Sequence, residues 1–203
     1  MMKALGATLA KPAAFGLALA VFAAFVALVL PGKAADAAAY TPPGASFDTS
    51  FFYSPAQAIE RAAAYSAEGR GAYIYDRWTF DLAWPAAYGF FMLSSWAFGL
   101  RLLAGARGKA PAYRALALPA LGVAFDLAEN SAVTALMIGT GMAAGSATPL
   151  WLPAAAAAAS AATALKWLFV GTGLLGTLVL PAAGAARLLI ASRRGSAEGG
   201  REN

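Results

Sequence analysis

Four long apolar runs, parted by short basic or glycine-containing breaks and one long polar stretch, set the rhythm of the chain. The first covers about residues 12–30, after Lys3 and Lys11 and ahead of Pro31, Gly32 and Lys33. The second covers about 80–103 and carries Arg101 near its end; the third covers about 115–142. The fourth covers about 165–190, and a polar tail over 191–203 follows it. Each run is close to the ~20 residues that cross ~30 Å of hydrocarbon at a rise of 1.5 Å per residue. The pattern therefore predicts an all-α fold, a polytopic membrane protein built as a four-transmembrane-helix bundle. Ahead of the fourth run the apolar pattern already begins at Ala154. One helix from there to Ile190 would be roughly 55 Å long, more than a bilayer is thick, so its alanine-rich start is expected to stand proud of the membrane or to form a separate helix. The first run also resembles a secretory signal, with small residues at Ala34, Ala35 and Ala37 after it. Its apolar length of about 18 residues exceeds the roughly 7 to 15 of such signals, which favours an uncleaved helix.

The polar stretch between the first two runs, about 33–78, is too long for an unstructured connection. Within it, "SPAQAIERAAAYSAEG" supplies Ser54 as an N-cap, Pro55 at the first helical position, Gln57 to complete a capping box and Gly69 as a stop. A short helix over 55–68 follows, with Ile59, Ala62, Ala63 and Ser66 at helical spacing, lying on the membrane surface or on the end of the bundle as a small extracytoplasmic helical cap. "SFDTSFFYS" and "YIYDRWTF" bring the aromatic residues of an interfacial belt.

Composition and charge sharpen this picture. The chain of 203 residues is 60% hydrophobic and only 12% charged, against about 25% charged in ordinary soluble domains. Its net charge of +5 comes from basic residues beside apolar runs, with no separate basic domain, so topology and not nucleic acid is the reading. Ten Lys and Arg fall on one side of the spans (Lys3, Lys11, Arg101, Arg107, Lys109, Arg114, Arg187, Arg193, Arg194, Arg201) and four in the long loop (Lys33, Arg61, Arg70, Arg77). The positive-inside rule then places both termini in the cytoplasm and the loop outside, in a multi-pass protein of the cell (cytoplasmic) membrane. The absence of Cys and His removes disulfides, thiol nucleophiles and the commonest metal ligands. No metal or cofactor is expected, and Asp, Glu, Lys, Tyr, Ser and Thr are left for chemistry.

The candidate chemistry centres on "DLAEN", residues 126–130, inside the third run. At 100° per residue Asp126, Glu129 and Asn130 fall within about 100° of one another, on one helix face that Thr134 and Met137 continue. Counted from Arg114, Asp126 lies about 18 Å and Glu129 about 22 Å into the ~30 Å core. An aspartate there costs about 2.5 to 3.5 kcal/mol on insertion, so the two carboxylates should face protein or water, with at least one expected to be protonated. Ser or Asn would join helices at lower cost, which favours a site for this pair, whereas Asn130, Ser94, Ser95 and Thr134 taken singly read as helix-to-helix contacts. Asp81 and Lys166 both fall near the outer boundary and are expected to form a supporting ion pair. Pro85 leaves the Asp81 carbonyl without its helical donor. Tyr88, two turns below Asp81, points toward the depth of Glu129. Asp126, Glu129, Asn130 and Tyr88 are thus the candidate ligand-binding residues.

Other signals carry less. "GTGLLG", residues 171–176, matches a dinucleotide pattern but lies inside an apolar run with no preceding strand, so its glycines are expected to allow close helix packing. "GMAAG", residues 141–145, has a spacing that assists helix pairing, and Pro181 should kink the fourth run. The G-x-G-D signature of intramembrane aspartic proteases is absent around Asp81 and Asp126. The plan is similar to that of tetraspanins and claudins in topology alone, since those families carry loop cysteines. The expected function is binding or transfer of a small molecule, lipid or cation at the carboxylates. The alternatives are an intramembrane enzyme acting on a lipid-linked substrate, with Glu129 or Asp126 as general base and Lys166 or Arg77 holding an anionic head group, or an assembly subunit meeting a second copy or another membrane protein.

Overall fold

The computed structural model describes residues 2–105, 109–145 and 147–199, with side chains up to residue 193 in the last helix. Arg107, Arg201 and the side chain of Arg194, all used in the charge count, lie outside the described residues, as does Ser146. The fold is all-α: helix makes up 85%, with no strand among the described residues. The helices are α1 (Met2–Leu9), α2 (Pro12–Ala24), α3 (Leu30–Tyr40), α4 (Pro55–Ala64), α5 (Ala67–Arg77), α6 (Phe80–Gly105), α7 (Ala117–Gly145) and α8 (Leu152–Gly199). Four helical stretches, Pro12–Tyr40, Ala67–Gly105, Tyr113–Gly145 and Leu152–Arg193, are long and apolar enough to cross a membrane.

Local chemistry explains most boundaries. α2 opens on Pro12, whose missing N–H costs nothing at a helix start. The helical path does not end at Leu30 as the hydropathy suggests. Pro31 has no N–H to give the Ala27 carbonyl four residues back, and the chain answers with a π turn over Phe25–Val29 in which the Leu30 N–H bonds the Phe25 carbonyl. Helix then resumes to Tyr40. α4 begins as its capping box requires: Ser54 Oγ accepts from the Gln57 N–H at 3.2 Å, and the Ser54 N–H donates to Gln57 Oε1 at 2.8 Å. The helix expected to continue to residue 68 ends at Ala64. Ser66 caps a second helix, its hydroxyl accepting from the Gly69 N–H at 3.0 Å, so Gly69 opens α5 and does not stop α4. The alanine-rich start of the last run is continuous with the rest: α8 is one helix of 48 residues. Its first turns bury Leu152, Ala156 and Ala159, spaced as one helix face, and that contact holds together a stretch that alanine propensity already favours.

The chain divides into two compact units, one formed by residues 1–22, 88–120 and 171–203 and the other by 23–87 and 121–170. In the first, Ala10, Trp96, Ala97, Tyr113 and Leu116 form the core. The α6–α8 contact is very close there. A Cβ at Gly176 would fall 2.3 Å from the Trp96 ring, and one at Gly99 would fall 2.6 Å from the backbone of Leu180 and Pro181. Trp96 Nε1 donates to the Gly173 carbonyl at 2.8 Å. The glycines at 173 and 176 thus serve helix packing as expected. α8 runs on through Pro181. In the second unit, Phe47, Tyr53, Ala58, Ala62, Tyr65 and Tyr73 pack on Val133, Leu136 and Met137 of α7 and on the first turns of α8. This aromatic layer is where the segment 41–66 is folded against helices, and it lies directly beside the polar centre.

Candidate functional site

Every residue of the centre belongs to the second unit. α7 turns Asp126, Glu129 and Asn130 inward, at 8%, 2% and 1% exposure, while Leu127 between them stays exposed, as the spacing of three and four residues demands. α8 contributes Thr163 and Lys166, one turn apart and both buried. Arg77 at the end of α5 and Asp81 at the start of α6 add a third side, and Asp48 and Tyr53 come from the segment ahead of α4.

Two linked networks result. In the first, Lys166 Nζ lies 3.5 Å from Asp126 Oδ1 and donates to Glu129 Oε2. Thr163 Oγ1 meets Glu129 Oε1 and lies 2.7 Å from the Tyr53 hydroxyl. With Glu129 ionised and only accepting, the Thr163 proton goes to Glu129 and the Tyr53 hydroxyl donates to Thr163. The line Tyr53 to Thr163 to Glu129 is therefore a directed chain of hydrogen bonds. Burial pushes the Tyr53 phenol above its ordinary pKa, which keeps it a protonated donor.

In the second network Arg77 pairs with Asp48 and Asp81 and lies over the Tyr73 ring at 4.3 Å. Asn130 joins this group to α7. Its Nδ2 donates to the Asp81 carbonyl at 3.2 Å and to the Arg77 carbonyl at 3.4 Å, and its Oδ1 accepts from Arg77 Nη1 at 3.5 Å. The Asp81 carbonyl is the one that Pro85 leaves without a helical donor, so the amide fills a vacancy the sequence itself creates. One turn further on, Trp78 Nε1 donates to Thr134 Oγ1 at 3.1 Å.

The structure thus brings Asp126, Glu129, Asn130 and Lys166 together. Asp81 and Lys166 do not pair with each other. Asp81 takes Arg77, four residues earlier and within reach across the α5–α6 junction, while Lys166 is held by two α7 carboxylates. Tyr88 is buried on α6, in the other unit. Thr163, Tyr53 and Asp48 are not singled out by the sequence, and Arg77 only as a head-group ligand. Thr163 has a signal, since it lies one turn before Lys166 in an otherwise alanine-rich stretch. Tyr53 has none, being 110 residues from its partner.

The charge balance is uneven. Lys166 faces two carboxylates, and Arg77 faces two more. Withdrawing an ion from water costs several kcal/mol even after relaxation, and pairing offsets this only where each charge is matched. No family model, curated protein or solved structure matches the chain.

Proposed function

We propose that the chain is a multi-pass protein of the cytoplasmic membrane, with both termini inside, that takes up a small monovalent cation at Asp126 and Glu129, a proton being the smallest. The observation that supports this is a single ammonium, Lys166, held between two buried carboxylates. Both acids ionised against one cation leave a surplus negative charge in a low-dielectric interior, which a proton or a second cation removes at a gain of free energy. The Tyr53–Thr163–Glu129 chain gives a line of exchangeable protons toward the segment 41–66. Within a bilayer, Asp126 and Glu129 sit in the outer part of the hydrocarbon, that segment covers them as the extracytoplasmic cap, and Trp78 marks the boundary.

Binding is preferred to intramembrane catalysis on a lipid-linked substrate because Lys166 and Arg77, the cations an anionic head group needs, are each already engaged by two carboxylates. The test uses the full chain purified in detergent. Its melting temperature is followed across pH and across sodium, potassium and methylammonium concentrations. The native chain is expected to show a rise with one of these cations or with proton uptake. Asp126→Asn with Glu129→Gln is expected to keep the helical circular dichroism and lose that dependence. A double variant with the same dependence as the native chain defeats the proposal.

A further inference from the structure

The molecule's charges are sorted by unit. Residues 1–22, 88–120 and 171–203 hold ten of the fifteen Lys and Arg but only two of the ten acids, Glu198 and Glu202, both in the tail. The structure gathers five of these cations at one end of that unit. Arg101 Nη1 donates to the Ala10 carbonyl at 3.2 Å, at the break between α1 and α2, which sets Lys11 beside it. Gly6 of α1 packs against the Tyr113 ring, and Arg114 follows directly. The Lys109 N–H returns to the Ala104 carbonyl at 3.0 Å, turning the chain at the end of α6. Between α6 and α8, Gly99 faces Leu180 and Pro181, and Leu102 faces Gly184. The two helices run parallel, and continuing this register by one turn brings Arg187 opposite Gly105.

All five side chains are exposed, and none forms an ion pair among the described residues. Glu198 follows Arg187 by about 16 Å of helix. Apolar surface adjoins the collar, with Leu5, Leu188 and Leu189 exposed.

We propose that this basic collar binds the phosphodiester head groups of anionic phospholipids. A phosphate that meets no competing carboxylate among the described residues finds guanidinium and ammonium donors here. The neighbouring leucines offer acyl chains a surface that a free phosphate cannot use. Each cation that seats against an anionic leaflet is expected to enrich the lipid about fivefold at low salt.

The inference rests on the membrane reading above and is independent of the cation site. The full chain is purified in mixed micelles of equal phosphatidylglycerol and phosphatidylcholine, and the lipids retained are counted by native mass spectrometry. Preferential retention of phosphatidylglycerol is expected, falling in Lys11→Gln/Arg101→Gln/Arg187→Gln and at about 0.5 M salt, where screening is nearly complete over a few ångström. Circular dichroism and melting in phosphatidylcholine alone check the variant's fold. Should it fail to fold, Arg187→Gln alone and the salt series carry the test. Equal retention of the two lipids, enrichment untouched by substitution and salt, or displacement of the lipid by millimolar glycerol phosphate overturns the proposal. Recovery of the chain in the soluble fraction would instead sink the membrane reading.

Discussion

Asn130 shows how one side chain can hold together features that lie far apart in sequence. Its amide supplies the donor that Pro85 denies to the Asp81 carbonyl and also reaches the backbone of Arg77. Asn130→Leu leaves that partly buried carbonyl without its amide donor, at an expected cost of about 1–3 kcal/mol. Pro85→Ala restores an N–H to the helix, so the same substitution made in that background should cost less. Equilibrium unfolding of the two single variants and the double variant gives the coupling, and strictly additive losses would rule this account out. Lys166 poses the complementary case. Lys166→Met strands two carboxylates inside the unit and should cost about 3–5 kcal/mol, most of it recovered when Asp126→Asn and Glu129→Gln are added. A Lys166→Met chain as stable as the native one would mean that the acids are already neutral, and the ammonium would then not be their partner.

The helix contacts separate glycines that look alike in sequence. In "GTGLLG", a Cβ at Gly171 meets nothing within 4 Å, whereas one at Gly176 meets the Trp96 ring at 2.3 Å. Gly171→Ala should therefore be neutral or stabilise by up to about 1 kcal/mol through helix propensity. Gly176→Ala should force Trp96 away from the Gly173 carbonyl, lower the melting temperature and red-shift the tryptophan emission. Equal effects at the two positions would contradict this packing. Sequence shows that the motif lies in a helix but not which glycine faces a neighbour, and the same limit recurs elsewhere. The Ser54–Gln57 capping box is legible because it is local, whereas the Ala64 end of α4 is not, because Ser66 lacks the Glu or Gln that marks such a box. The inward face of Asp126, Glu129 and Asn130 is legible because helical spacing and insertion cost agree. The partner of Lys166 is not, because ion pairing depends on which helices face each other. A run of alanines likewise gives no sign of whether a helix ends or continues, so the full length of α8 emerges only from what its first turns pack against.

At the scale of the whole chain, the segregation of charge is also a statement about direction. The unit with ten cations and two acids contains both termini and the α6–α7 connection, while the unit with five cations and eight acids contains the α7–α8 connection and the segment 41–66. For the proposed cation site, the positive-inside rule predicts entry to Glu129 from outside, along the Tyr53–Thr163 chain. A chain without cysteine makes this directly measurable. A single cysteine at Leu150, 99% exposed in the α7–α8 connection, should react with a membrane-impermeant maleimide in intact cells. One at Ala110, exposed in the α6–α7 connection, should react only after the membrane is opened. Reversed labelling would place the carboxylates nearest the cytoplasmic face and reverse the direction of cation entry. Labelling of both positions in intact cells would mean that the stretch between them does not cross the membrane, and that Asp126 and Glu129 do not lie within the bilayer.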